Sequence, residues 1–333
     1  MKPTSISVTL AVLLSATSAY AAPISAFSEL EVNHSFVVNN GNSPEGIDIG
    51  FGPNSLTIER DATTFVDHPD TVYEDDINVV VGNAFTDPPI AAQGSWLSTA
   101  IRPNGTDSAL AFFSSDIVTE DDPADDNFDI TRRSVRQYGE ANAVIVSEPI
   151  AASAASSERI TRSYLFENTT NDLISFNIAG QFDAALGAQY TGIDGFARAS
   201  AVNELLFTPS AGAEITFFPV SPYLTDVVDA DPGAFAFEQL DIGSNGFVFT
   251  ASTSATGMGG TTTALVDAEF RYVFSLSLEG GASVVMDTNF GQANAVDYTP
   301  QPRLAPVPVP ASLPLLIGAL GGFLTLRRRS ETR

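Results

Sequence analysis

The sequence predicts an all-β fold, an antiparallel β-sandwich or jelly roll, set between two apolar ends. Three observations carry this expectation. Apolar and polar residues alternate in short runs, which is the period of a half-buried strand. Segments rich in Asp, Pro, Gly, Asn and Ser punctuate the runs. Before the C-terminal tail, no long stretch repeats with the 3.6-residue period of an amphipathic helix.

In chain order, Met1 and Lys2 give a weakly positive start, followed by the apolar stretch "ISVTLAVLLSA". "SAYA" then places Ala19 and Ala21 where a signal peptidase requires small residues. Residues 1–21 are therefore expected to be a signal peptide, with Ala22 as the mature N-terminus. "LTIE" puts Leu56 and Ile58 on one side, and "INVVV" does the same with Ile77, Val79 and Val81. "LISFNIAGQF" places Ile174, Phe176, Ile178 and Phe182 on one face, opposite Ser175, Asn177 and Gln181. It follows "RSYLFEN" across Thr169–Asp172, so the pair reads as a hairpin.

A second hairpin is predicted in "AEFRYVFSLSLEGGASVVMD", where Phe270, Tyr272, Phe274, Leu276 and Leu278 share a face. A loop of Glu279, Gly280 and Gly281 sets Leu278 against Ala282, Leu276 against Val284 and Phe274 against Met286. A two-residue loop would instead set Phe274 against Asp287, so the longer loop is preferred. Loops are expected at 40–54, 67–76, 119–129, 220–233 and 253–263. The body spans 22–297, and a division into two subdomains near 120–140 stays open. Residues 298–306 form a Pro-rich, extended spacer.

Composition narrows the function classes. Residues 22–306 hold ten basic residues, all arginine, against 39 acids. The resulting charge, near −29, repels nucleic acid and anionic lipid. It suits a salty exterior and divalent cations. The absence of cysteine removes disulfides, a thiol nucleophile and thiolate metal sites, and two histidines are too few for a His-rich metal site.

Candidate sites follow from the acids. "EDDPADDNFD" brings together Glu120, Asp121, Asp122, Asp125, Asp126 and Asp129, oxygen ligands dense enough for calcium. Its spacing is not that of an EF-hand loop, and a plain solvated acidic loop is the other reading. Asp226, Asp229 and Asp231 form a smaller group of the same kind. His68 lies beside Asp67 and Asp70, but no G-x-S-x-G elbow supplies a nucleophile; His34 offers no more. Trp96 is the sole tryptophan, which argues against a sugar-cleaving cleft lined with several rings. "GMGGTTT" at 257–263 lacks the lysine of a phosphate loop and reads as a flexible turn. Arg132, Arg133 and Arg136 are the only basic cluster of the body, placed to pair with the acidic stretch before them, with contact to an anionic polymer as the other reading. No catalytic motif is present.

The tail is the most specific feature. Leu313–Leu326 is 14 residues without a charge, about 21 Å as a helix against a bilayer core of about 30 Å. Val307-Pro308-Val309-Pro310-Ala311 precedes it, and its prolines resist helix. Gly318 and Gly322 have small-xxx-small spacing, and Arg327, Arg328 and Arg329 suit the cytoplasmic headgroups. Together these predict a short C-terminal membrane helix.

The order of proline motif, short apolar helix and terminal arginines resembles the VPLPA-CTERM sorting signals, themselves similar to the PEP-CTERM class. The resemblance covers residues 307–329, with Val309 where the family has Leu. It implies export by a Gram-negative cell, a stay in the inner membrane, and processing by an exosortase-like transpeptidase. It implies nothing about the body. The combined expectation is a non-enzymatic structural or adhesive protein of the cell envelope or exopolysaccharide matrix. The alternatives are a secreted polysaccharide hydrolase or lyase, and a calcium-dependent carbohydrate-binding module.

Overall fold

The computed structural model describes residues 22–38, 47–68, 71–82, 94–101, 107–121, 131–145, 151–192, 195–257 and 260–298. Fourteen strands run through them, and there is no helix among the described residues. They are β1 (Ala22–Val38), β2 (Ile47–His68), β3 (Thr71–Gly82), β4 (Gly94–Ile101), β5 (Ser108–Asp121), β6 (Thr131–Ile145) and β7 (Ala152–Asn168). The second half comprises β8 (Ile174–Gly192), β9 (Phe196–Pro209), β10 (Ala213–Ala230), β11 (Ala234–Gly243), β12 (Gly246–Thr256), β13 (Gly260–Leu278) and β14 (Ser283–Tyr298). All belong to one compact unit. The segments expected to be a signal peptide (1–21) and a sorting tail (307–333) lie outside the described residues.

The strands make two seven-stranded sheets. Sheet A has the order β10-β13-β8-β1-β6-β5-β4, and sheet B the order β11-β12-β9-β14-β7-β2-β3. The strand pairs are antiparallel throughout. Period 2 is what lets each strand give one row to the interior and one to water. On β13, Phe270, Tyr272, Phe274, Leu276 and Leu278 are buried, while Arg271 is exposed and Ser275 half-buried. On β8, Phe176, Ile178 and Phe182 are buried and Ser175, Asn177 and Gln181 are half-buried, as the alternation predicts, while Ile174 at the strand's start is only half-buried.

Rings from both sheets meet in the core. Phe207 of β9 lies 4.7 Å from Phe274 of β13, and Phe249 of β12 lies 4.9 Å from Phe182 of β8. Elsewhere the inner rows are alanine, among them Ala109, Ala111, Ala141, Ala143, Ala152 and Ala154.

Both predicted hairpins are corrected. The β7 strand pairs with β2 and β14 in sheet B, whereas β8 pairs with β1 and β13 in sheet A. Likewise β13 belongs to sheet A and β14 to sheet B. The turns at 169–173 and 279–282 therefore cross between sheets rather than close hairpins. Asn168 explains the difference. Its fully buried amide donates to the carbonyls of Asp172 (2.7 Å), Leu278 (2.9 Å) and Glu279 (3.2 Å). Its Oδ1 accepts from the backbone N and hydroxyl of Thr170. Gly281, at φ +76°, donates its N–H to Asn168 O. One side chain thus pins two crossovers together.

The predicted loops also shrink. Residues 47–54 lie in β2 and 220–230 in β10, with irregular pairing at Phe51/Leu56 and Pro219/Leu224. Register shifts absorb the Gly52-Pro53-Asn54 and Pro219–Pro222 segments that read as breaks. Residues 71–76, 119–121, 253–256 and 260–263 are likewise strand, and Tyr298 ends β14 instead of opening the spacer.

On the outer face of sheet A, the register sets Glu31, Asp183 and Glu269 side by side on β1, β8 and β13. Burial, with the neighbouring Glu269 and Glu31, pushes the Asp183 carboxyl up to about 6, although Gln181 and Arg271 pull the other way. Its folded value exceeds its ordinary value of 3.8, so the native state keeps a proton that the unfolded chain has released. Stability from this group is present at about pH 4 and is lost as pH rises to about 6. Asp183→Asn is expected to raise the melting temperature at pH 7.5 and to lose that advantage at pH 4. Melting curves at the two pH values check it; equal gains at both would overturn the assignment.

Candidate binding groove

The interior holds a buried charge pair. Arg60 on β2 and Glu158 on β7 are direct cross-strand partners, with Nε to Oε1 at 2.6 Å and both side chains fully buried. Arg60 also donates to the Ser115 hydroxyl (2.5 Å) and lies 4.0 Å from the centroid of the Trp96 ring. Trp96 in turn stacks on Phe113. Burial pushes the Glu158 carboxyl up, and Arg60 opposes that shift. Beside this pair, Asn294 donates to the Ser28 hydroxyl (2.9 Å), which donates to Gln292, joining β1 of sheet A to β14 of sheet B. A Cβ at Gly139 would collide with Gln292 and Asn294, so glycine makes room for that link. These groups are enclosed and tie strands together.

An accessible concavity lies on the outer face of sheet B, a groove of about 380 Å³. Register builds its floor. Ser157 of β7 and Ser200 of β9 both lie opposite Ala293 of β14, and Ser252 of β12 lies opposite Ser200. One row further on, Ala155, Ala295, Arg198 and Ser254 repeat the arrangement. Asp61 on β2 stands at one end, opposite Ser157. Phe235 stands at the other end, on the edge strand β11, opposite Ser254. These ends are five strand spacings apart, about 24 Å at roughly 4.8 Å each.

Phe235 and its neighbour Phe237 are 55% and 40% exposed. Their rings are 6.2 Å apart and inclined by only 10°. Arg198 is exposed, with its guanidinium 5.3 Å from the centroid of the Phe196 ring. Small side chains leave the floor low, an aromatic pair forms a raised rim, and hydroxyls and one guanidinium supply polar contacts. The arrangement can hold an extended, hydroxyl-bearing ligand.

The predicted site residues fall elsewhere. Glu120 and Asp121 lie in β5, with Glu120 opposite Arg132 and Asp121 opposite Thr131 of β6. Asp122, Asp125, Asp126 and Asp129 lie outside the described residues, as do Ala19, Ala21, Val307–Ala311 and Arg327–Arg329. No group of three His, Asp or Glu among the described residues is placed to hold a metal ion. Asp231 accepts from the backbone N (2.9 Å) and hydroxyl (2.6 Å) of Thr263, so its carboxylate fastens a turn. These bonds hold it below the usual carboxylate range. Arg136 pairs with Glu31 (2.7 Å) on β1. His68 ends β2 opposite Thr71, and His34 on β1 lies opposite Arg133 and Gly180.

Sequence reasoning missed the groove because its floor comes from four strands between residues 155 and 295. The available signal was the run of serine and alanine where exposed strands favour threonine and valine. Comparison of the chain with protein-family models, curated proteins and solved structures finds no match.

Proposed function

We propose that the chain is an exported structural or adhesive protein of a Gram-negative envelope or exopolysaccharide matrix, its body a β-sandwich that contacts polymer without cleaving it. The observation that carries this reading is the groove on sheet B: open, aromatic-rimmed and, among the described residues, lined by a single carboxylate, Asp61. Glycoside hydrolysis ordinarily needs two carboxyl groups flanking the scissile bond. The facing of one apolar-lined sheet on the other supports a two-layer antiparallel body, the architecture that β-sandwiches and jelly rolls share. The proline motif, short apolar run and arginines support delivery by a VPLPA-CTERM-like signal processed by an exosortase-like enzyme.

Under this reading the signal peptide sends the body outward while Arg327, Arg328 and Arg329 keep the C-terminus inside. The short helix parks Val307–Pro310 at the outer membrane boundary, where prolines keep the backbone open to a transpeptidase. Intact-mass measurement on the protein from its native host is expected to give an N-terminus at Ala22 and loss of everything beyond about Ala311. Changing the three arginines to serine is expected to impair retention and processing. A mature protein that keeps Arg329 and stays in the inner membrane would mean a permanent anchor instead.

A further inference from the structure

We infer that the groove of sheet B binds an anionic polysaccharide, Arg198 meeting its carboxylate and the Phe235–Phe237 rim its sugar rings; this rests on the polymer-contacting reading above. The first support is charge. In a chain with so many acids, arginines readily find partners: Arg60 pairs with Glu158, Arg136 with Glu31 and Arg271 with Glu269. Arg198 makes no ion pair among the described residues, although it is exposed. The Phe196 ring holds it in place without neutralising it. A guanidinium with no ion-pair partner among the described residues, on a protein of net charge −25, offers a local site for an anion.

The second support is the rest of the lining. The hydroxyls of Ser157, Ser252 and Ser254 make no hydrogen bond among the described residues, and Ser200 makes only a long one, 3.4 Å, to Ala293 O. They stay available to ligand hydroxyls. The two parallel phenyl faces suit the C–H faces of pyranose rings, which are flat and apolar while their edges are polar. The groove crosses the strands, so successive polar rows meet a chain about every 4.8 Å.

The test is affinity electrophoresis of the full chain through gels containing polygalacturonate, dextran or polyglutamate. Polygalacturonate is expected to retard it most. Arg198→Gln, and separately Phe235→Ser with Phe237→Ser, are expected to weaken that retardation about tenfold. Arg271→Gln, on sheet A, is expected to leave it unchanged. Equal retardation by dextran would remove the role of charge, and equal retardation by polyglutamate would mean a general polyanion site; either overturns the inference. So does an unaffected Arg198→Gln protein or no retardation at all. Fractionation of the native host separates this from the function proposed above. A wild-type chain found in the envelope or matrix that ignores polygalacturonate defeats the groove inference alone. A wild-type chain that is never exported defeats the export reading, whatever the groove binds.

Discussion

Phe274→Asp is expected to unfold the body under conditions in which Ser275→Asp leaves it folded. The two positions are adjacent on β13 and face opposite ways. Phe274 is fully buried, with ring centroids of Phe207, Phe217 and Tyr272 at 4.7, 4.9 and 5.7 Å. Removing the ring alone costs about 3–5 kcal/mol. A carboxylate in its place would be packed among the rings of Phe207, Phe217 and Tyr272, and that adds several kcal/mol unless it takes up a proton. Domains are stable by only about 5–15 kcal/mol, so little margin is left. Ser275 lies half-buried on the outer face between Asn177 and Thr216, where a carboxylate keeps water and polar neighbours, so a cost below about 1 kcal/mol is expected. Urea unfolding of both variants at neutral pH measures this. Similar losses at both positions would mean that the outer face of sheet A is covered.

The faces of these strands were legible in the sequence, and their partners were not. Alternation assigns Phe270, Tyr272, Phe274, Leu276 and Leu278 to one row without any knowledge of the neighbouring strand, because the period of 2 is local. Pairing is not local. A tight turn such as Glu279–Ala282 can fold a strand back beside its predecessor or carry it over to the facing sheet. The choice here goes with Asn168, which is 110 residues from Leu278 and binds its carbonyl. The apolar matching that suggested the hairpin is satisfied across the core instead: Val284 and Met286 are buried with Phe274 and Leu276 but in the opposite sheet. The same distance in sequence hides the groove. Ser157, Ser200, Ser252 and Ala293 become one floor only through registers set by four separate strands. The strand extents were misjudged for a different reason. Pro219 and Pro222 read as chain breakers, yet β10 is an edge strand, where a missing N–H or a bulge costs little.

Glu158→Gln is expected to be the most damaging isosteric change available in the interior. It keeps volume and shape but leaves the Arg60 guanidinium buried without its counter-charge. Breaking such a pair from one side costs about 3–5 kcal/mol, since the remaining ion keeps its desolvation penalty. Ser115 and Trp96 still contact the cation, by a hydrogen bond and a ring face, but neither carries a compensating charge. The double change Arg60→Met with Glu158→Met is expected to be milder than Glu158→Gln. It removes both charges, and replacing a whole buried pair by apolar groups is often neutral or stabilising. Glu269→Gln provides the comparison, because the Arg271–Glu269 pair is solvated on the outer face, where such pairs contribute about 0–1 kcal/mol. Urea midpoints of the four proteins, read at constant m-value, rank the effects. A Glu158→Gln loss no larger than that of Glu269→Gln would mean that water reaches Arg60. A double variant worse than the single would mean that the pair, with Ser115 across the core, holds β2, β5 and β7 in register in a way that apolar packing cannot replace.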